Sequence, residues 1–208
     1  MRNLIVLLTA VITAFDGCAP VSQSSGNSAS NPKVLNYKDF AYEPNIRTVL
    51  LHPDFSGPEA TLQPAVTRLG EWNLILEFDD LTTQRDNYYA KILHCNYDWT
   101  KSNLSDLDFM SEYNEFPINN FEFSVDSHIP YNHYWFHIPP VKIPGNYLLI
   151  VYRGGDKSDL ILSKRFMVFD NQISFESERN LIGSGSIASL NQQINFTVNY
   201  QHLDIINP

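Results

Sequence analysis

Residues 145–169, GNYLLIVYRGGDKSDLILSKRFMVF, constrain the fold more than any other stretch of this chain. Two apolar runs flank GGDKSD, a Gly-rich connection of the kind that joins two antiparallel strands. The same grammar holds from Asn45 onward. Short runs rich in β-branched and aromatic residues alternate with clusters of Pro, Gly, Asn and Asp. These predict strands at Ile46–His52, Trp72–Phe78, Tyr88–Cys95, Phe121–Val125, Tyr134–Ile138, Tyr147–Arg153 and Leu160–Phe169. In NLILEF, alternation puts Leu74, Leu76 and Phe78 on one face and Asn73, Ile75 and Glu77 on the other. An aromatic content of 13% favours β structure over helix. Seven strands at this spacing predict an all-β chain folded as an immunoglobulin-like two-sheet β-sandwich over residues 37–172. One helical turn fits SNLSDLDFMSEYNE, where Leu104, Leu107 and Met110 recur every third residue.

The ends have a different character. MRN, the apolar run LIVLLTAVITAF and DGC read as an export signal over residues 1–17, too short to span a bilayer. A Cys directly after a small residue makes Cys18 a candidate acylated residue of a lipoprotein, although Phe15 and Asp16 replace the usual aliphatic and small residues. Residues 18–36, rich in Ser and Asn, read as a flexible tether. Past Asp170, a strand at Ile173–Glu178, the loop IGSGSIAS and INFTVNYQHLDIINP read as the beginning of a second β domain, residues 173–208, incomplete. The chain reads as a piece of a longer protein.

A net charge of −9 with scattered Lys and Arg leaves no basic stripe for nucleic acid. Two cysteines, one of them Cys18, give no disulfide framework. The stretch AKILHCNYDWTKSNLS sets His94 beside Cys95, which raises the question of a thiol–imidazole pair. Neighbours on a strand point to opposite faces, so they do not reach each other, and free Cys is among the most buried residue types. Cys95 therefore reads as a core residue. Asn96, Asp98 and Ser102 suit a shaped turn after the strand, with Trp99 folding back over the core or facing a partner. His128, His133 and His137 lack metal-site spacing: on a strand, residues four apart lie roughly 13 Å from each other, and Pro130, Pro139 and Pro140 forbid a helix. They read as edge-strand histidines. Asp106 and Asp108 lack the glycine and the terminal Glu of a calcium loop. No phosphate loop, dinucleotide fingerprint or nucleophile elbow is present. No catalytic, cofactor-binding or metal-binding residue is expected. Tyr88, Tyr89, Tyr97, Trp99, Tyr131, Tyr134 and Trp135 exceed what one sandwich core needs, and aromatics anchor interfaces or stack on sugars. Two binding readings follow: a protein partner, or an exported carbohydrate-binding lipoprotein.

A family resemblance bears on the choice. Ile92-Leu93-His94-Cys95-Asn96, Asp98-Trp99 and Ser102-Asn103-Leu104, with Gly145–Tyr147 and Arg165–Val168, resemble the N-terminal domain of type IX secretion system plug proteins of Bacteroidetes. Leu93, between Ile and His, is a departure. The likeness runs from about Ile46 to Ile173 and resumes in FTVNYQHLDIINP, similar to the opening strand of that family's second domain. The resemblance implies a non-enzymatic periplasmic protein, associated with the outer membrane. Its partner would be the translocon barrel, whose periplasmic opening it closes. Tyr97, Trp99, Tyr131 and Trp135 are the candidate contact residues, Cys18 the candidate membrane anchor, and no small-molecule substrate is expected.

Overall fold

The hairpin read at 145–169 lies at the centre of the larger of two main sheets. The computed structural model describes residues 33–55, 57–71, 73–177 and 195–200. The signal segment 1–17, Cys18 and most of the tether lie outside the described residues, as do Trp72, the loop at 178–194 and residues 201–208. The elements are β1 (Phe40–Ala41), β2 (Ile46–Pro53), a 3₁₀ turn (Pro58–Leu62), β3 (Val66–Arg68), β4 (Leu74–Asp80) and β5 (Tyr88–Cys95). There follow α1 (Asp106–Phe109), β6 (Phe116–Ile118), β7 (Asn120–Phe123), β8 (Asn132–His137), β9 (Gly145–Arg153), β10 (Leu160–Phe169), β11 (Ile173–Ser177) and β12 (Phe196–Tyr200).

One sheet has the order β1-β10-β9-β5-β6, with β3 also on β10; the second has the order β2-β4-β8-β7; β11 and β12 form a two-stranded sheet. Every pairing is antiparallel except β3 with β10. The chain is thus all-β, apart from one helical turn and one 3₁₀ turn among the described residues.

The centre of β9, YLLIVY, is unbroken by polar residues because both of its faces are covered, as in a strand at the middle of a layered fold. Tyr147, Leu149 and Val151 join Leu74, Leu76, Phe78 and Tyr134 of the other sheet in one buried cluster. Leu148, Ile150 and Tyr152 point the other way, into a smaller cluster with Cys95 and Leu160, against which Leu35, Tyr37, Tyr42 and Trp99 pack. Each large apolar side chain removed from water contributes about 1.5–3 kcal/mol, so the main cluster supplies most of the driving force. Phe78 stacks on Tyr134 at 5.1 Å, and Tyr88 sits edge-on to both.

β4 shows how one polar residue can end an apolar face. Leu74, Leu76 and Phe78 face inward, as alternation predicts, and so does Asp80, which is 0% exposed. Its carboxylate accepts from Asn45 Nδ2 (2.7 Å), Thr82 N (3.2 Å), Thr82 Oγ1 (2.8 Å) and Tyr88 Oη (2.8 Å). Four donors offset the desolvation that an unpaired buried carboxylate would suffer.

The helical turn falls where the sequence places it, but its buried face differs. Leu107 is exposed, and Phe109 and Met110 are buried. β8 also departs from expectation. It lies between β4 and β7, so its histidines are not on an edge strand. His133 Nδ1 lies 2.8 Å from Asp79 Oδ1, and His137 Nε2 lies 3.0 Å from Asp54 Oδ2.

Candidate functional site

β5 ends at Cys95 and the chain reverses at once. Trp99 N donates to the Asn96 carbonyl (3.0 Å) and Asn96 N to the Thr100 carbonyl (2.9 Å). Asn96 Nδ2 donates to Thr100 Oγ1 and to the Lys101 carbonyl. Asp98 Oδ1 accepts from Thr100 Oγ1 (2.7 Å) and Thr100 N (3.1 Å), and these bonds hold its carboxyl below the usual carboxylate range. Asn146 on β9 donates to the carbonyls of Asn96 and Tyr97, which ties the turn to the sheet. Asn96, Asp98 and Thr100 therefore serve the turn itself, and for Asn96 and Asp98 the sequence pattern predicts that role.

Trp99 carries the strain. Its φ is +66°, a region that bulky residues rarely occupy. The indole packs on the smaller cluster, and the Arg165 guanidinium lies over the ring at 4.4 Å. Tyr97, by contrast, is 92% exposed.

His94 and Cys95 point to opposite faces of β5, so no thiol–imidazole pair exists. Cys95 is 2% exposed, and burial pushes its thiol up to about 11, away from reactivity. His94 sits edge-on to Tyr147 at 5.1 Å, and burial lowers its pKa, which favours neutral imidazole. Its buried Nδ1 has no hydrogen-bond partner.

Beside this turn, the edge of β5 and the segment running into α1 enclose a cleft of about 240 Å³. Lys91, Leu93 and His94 of β5 line it, together with Lys101, Ser102, Leu104, Asp106, Phe109 and Tyr37. The Lys91 ammonium pairs with Asp106. A second concavity, between Thr67 and Pro140, has about 10 Å³ of free space and holds nothing larger than water. Among the described residues, no group of three or more His, Cys, Asp or Glu side chains is placed to hold a metal, and no helix is long and apolar enough to cross a membrane.

The candidate contact residues are not brought together. Tyr97 and Trp99 follow β5 in the larger sheet. Trp135 lies on β8 of the other, pairs across to Glu77 and stacks on His133 at 5.9 Å. Tyr131 immediately precedes β8 and is half-buried. A flat aromatic row suited to a glycan would need these rings on one face. Of the other aromatics, Tyr88 and Tyr134 are fully buried and Tyr89 half-buried, stacked on Tyr152. Cys18 is outside the described residues. Sequence reasoning passed over Lys91, Lys101 and Tyr37. Only the lysine pair, ten residues apart on either side of the turn, could have drawn attention to the cleft.

Comparisons with known proteins add a family and a fold. The family model of the Type 9 secretion system plug protein 1st domain matches residues 46–170. A crystal structure of a hypothetical protein from Parabacteroides merdae ATCC 43184 is similar with a TM-score of 0.66 at 22% identity. The likeness covers 83% of this chain and 44% of that one, so this chain spans less than half the length of that protein. At this identity the likeness shows fold alone. No curated protein matches.

Proposed function

We propose, on the premise that this chain belongs to the type 9 secretion system plug protein family, that it acts as a plug closing the periplasmic opening of an outer-membrane translocon barrel. The family match over residues 46–170 carries this reading. Membership supports a role in type IX secretion and a structural, non-enzymatic one. Closing a wide pore needs a rigid body and a broad interface, on the order of 1,000 Å² or more. Cargo or a shuttle protein would then displace the plug by favouring the barrel's other state.

The strand order supports an immunoglobulin-like sandwich as that rigid body. β2-β4-β8-β7 and, within the six-stranded sheet, β10-β9-β5 follow the strand orders of that fold's two sheets, with β1, β3 and β6 added to the second. Tyr147, near the start of β9, donates from Oη to the Ile143 carbonyl at 2.7 Å, a bond of the kind that the tyrosine corner of such domains makes, which supports the reading. Residues 173–208 belong in this reading to the beginning of a second β domain. The protein is periplasmic and associated with the outer membrane. Cys18 is its lipid anchor, a point that metabolic labelling with a fatty acid would check against Cys18→Ser.

The deciding experiment is affinity capture of tagged protein from gently solubilised envelopes of its source, with partners identified by mass. Recovery of one very large outer-membrane barrel in near-stoichiometric amount supports the plug. Its absence, with glycan-uptake proteins recovered instead, overturns it. Substitution of Tyr97 and Trp99, or of Tyr131 and Trp135, then tests which sheet meets the barrel.

A further inference from the structure

We propose that the cleft between β5 and α1 is a binding site for a peptide carboxylate flanked by an apolar side chain. The inference stands on the geometry of the cleft and goes beyond the plug reading. Three observations carry it. The first is charge. In a chain of net charge −9, this cleft holds two lysines, and Asp106 neutralises only Lys91. The Lys101 ammonium has no ion pair among the described residues, so the cleft offers one uncompensated positive charge.

The second is unspent hydrogen-bonding capacity. Ser102 is 6% exposed and its Oγ accepts from Leu104 N (3.2 Å), while its hydroxyl hydrogen has no acceptor among the described residues. A polar hydrogen left without an acceptor costs stability, so the Ser102 hydroxyl marks a place where a ligand's oxygen can repay the loss. A hydroxyl donor and an ammonium suit a carboxylate.

The third is the apolar wall. Leu93, Leu104 and Phe109 complete the lining, and Leu104 remains 41% exposed. An inorganic anion would leave this wall unused. At about 240 Å³ the cleft lies below the ~300–1,000 Å³ of sites for drug-sized ligands, which suits the end of a peptide and not a cofactor.

The test uses the full chain, labelled with ¹⁵N, titrated with N-acetyl-Leu-Phe as the free acid, the same dipeptide as its amide, N-acetyl-Glu-Leu-amide and inorganic phosphate. The expected result is a saturable shift of the Lys101, Ser102 and Leu104 amides with the free acid and none with the amide. Lys101→Gln weakens that binding about tenfold or more, the worth of a hydrogen bond to a charged group. Lys101 is exposed, so this variant keeps the fold, and Lys101→Glu serves as a second, charge-reversed check. A response to N-acetyl-Glu-Leu-amide in place of the free acid assigns the site to an internal acidic residue and upholds the carboxylate chemistry. Equal shifts with acid and amide, a response to phosphate as strong as to the peptide, no saturable shift with any probe, or binding indifferent to Lys101 overturns the proposal.

Discussion

Gly145 illustrates how much a single residue can be asked to do. A Cβ added there would lie 2.7 Å from His94 Nε2, closer than real side-chain contacts come. Tyr147 and Phe109 stand against the imidazole at 5.1 and 6.0 Å, so it can retreat only toward the cleft that it lines. Gly145→Ala is therefore expected to destabilise the fold by about 1–3 kcal/mol, the usual cost of overpacking. Urea denaturation of Gly145→Ala, His94→Ala and the double variant checks this. The His94 truncation should recover the share of the loss that comes from the clash and leave the share that comes from the φ of +156° at Gly145, and additive effects would show that the clash is absent. The separation of His94 from Cys95 was legible in the sequence, since alternation alone puts neighbours on opposite faces. The Gly145–His94 contact was not, because it depends on the register of β9 against β5, in which His94 faces Tyr147. Nothing local in GNYLLIVY announces what lies across the sheet.

At the scale of elements, legibility followed length. β5 and β10 have the limits that their apolar runs predict, Tyr88–Cys95 and Leu160–Phe169. β1, β3 and β6 escaped notice because two or three residues carry no period; long-range pairing defines them, as when Val66–Arg68 runs parallel to Met167–Phe169. The cleft was hidden for the same reason. β6 pairs with β5 only over Tyr88–Ala90, and beyond that point a side chain takes the place of a strand. Asn114, 2% exposed, accepts from Ile92 N at 3.0 Å and donates to the Ile92 carbonyl at 2.7 Å. Asn114→Ala removes both partners of a buried backbone unit, at about 1–3 kcal/mol for each group left unsatisfied. A loss of about 2 kcal/mol or more, with faster hydrogen exchange at Ile92 than elsewhere in β5, is the expected outcome. Asn114→Asp should not rescue it, since a carboxylate has no N–H for the carbonyl. Uniform exchange along β5 would mean that Asn114 is a passive neighbour.

At the scale of the whole molecule, one cation joins segments far apart in sequence. Arg153 donates from Nη2 to Glu43 (2.7 Å), from Nε to Asp86 (2.7 Å) and from Nη1 to Asp159 (2.9 Å), while Lys33 bridges Glu43 and Asp159. This binds the stretch before β2 and the β4–β5 loop to the β9–β10 hairpin, and Lys33 and Leu35 are already held against the domain. Arg153→Met leaves three carboxylates with one lysine, which should cost about 3 kcal/mol for a partly buried network. Arg153→Lys should rescue little, because one ammonium cannot replace the guanidinium fork. Burial pushes the Glu43 carboxyl up, but the hydrogen bonds and charges of Arg153 and Lys33 outweigh it and hold the pKa below the usual range. A depressed carboxylate pKa stabilises the fold above its unfolded value, about 4.3, and that contribution disappears as pH falls through the folded value. Thermal melts from pH 7 to 3 should show this loss in the parent chain and a smaller one in Glu43→Gln. The β11–β12 hairpin stands outside all of this. No described residue beyond Val168 belongs to either buried cluster, and Phe175 and Phe196 are 69% and 61% exposed. Removing residues 173–208 should accordingly leave the melting midpoint of the remaining domain within a few degrees, the shift that about 1 kcal/mol produces at this size. It should also lower the binding of a dye that reports exposed apolar surface. A much larger drop in the midpoint would mean that the hairpin belongs to the same folding unit, and the reading of 173–208 as the beginning of a separate domain would fall with it.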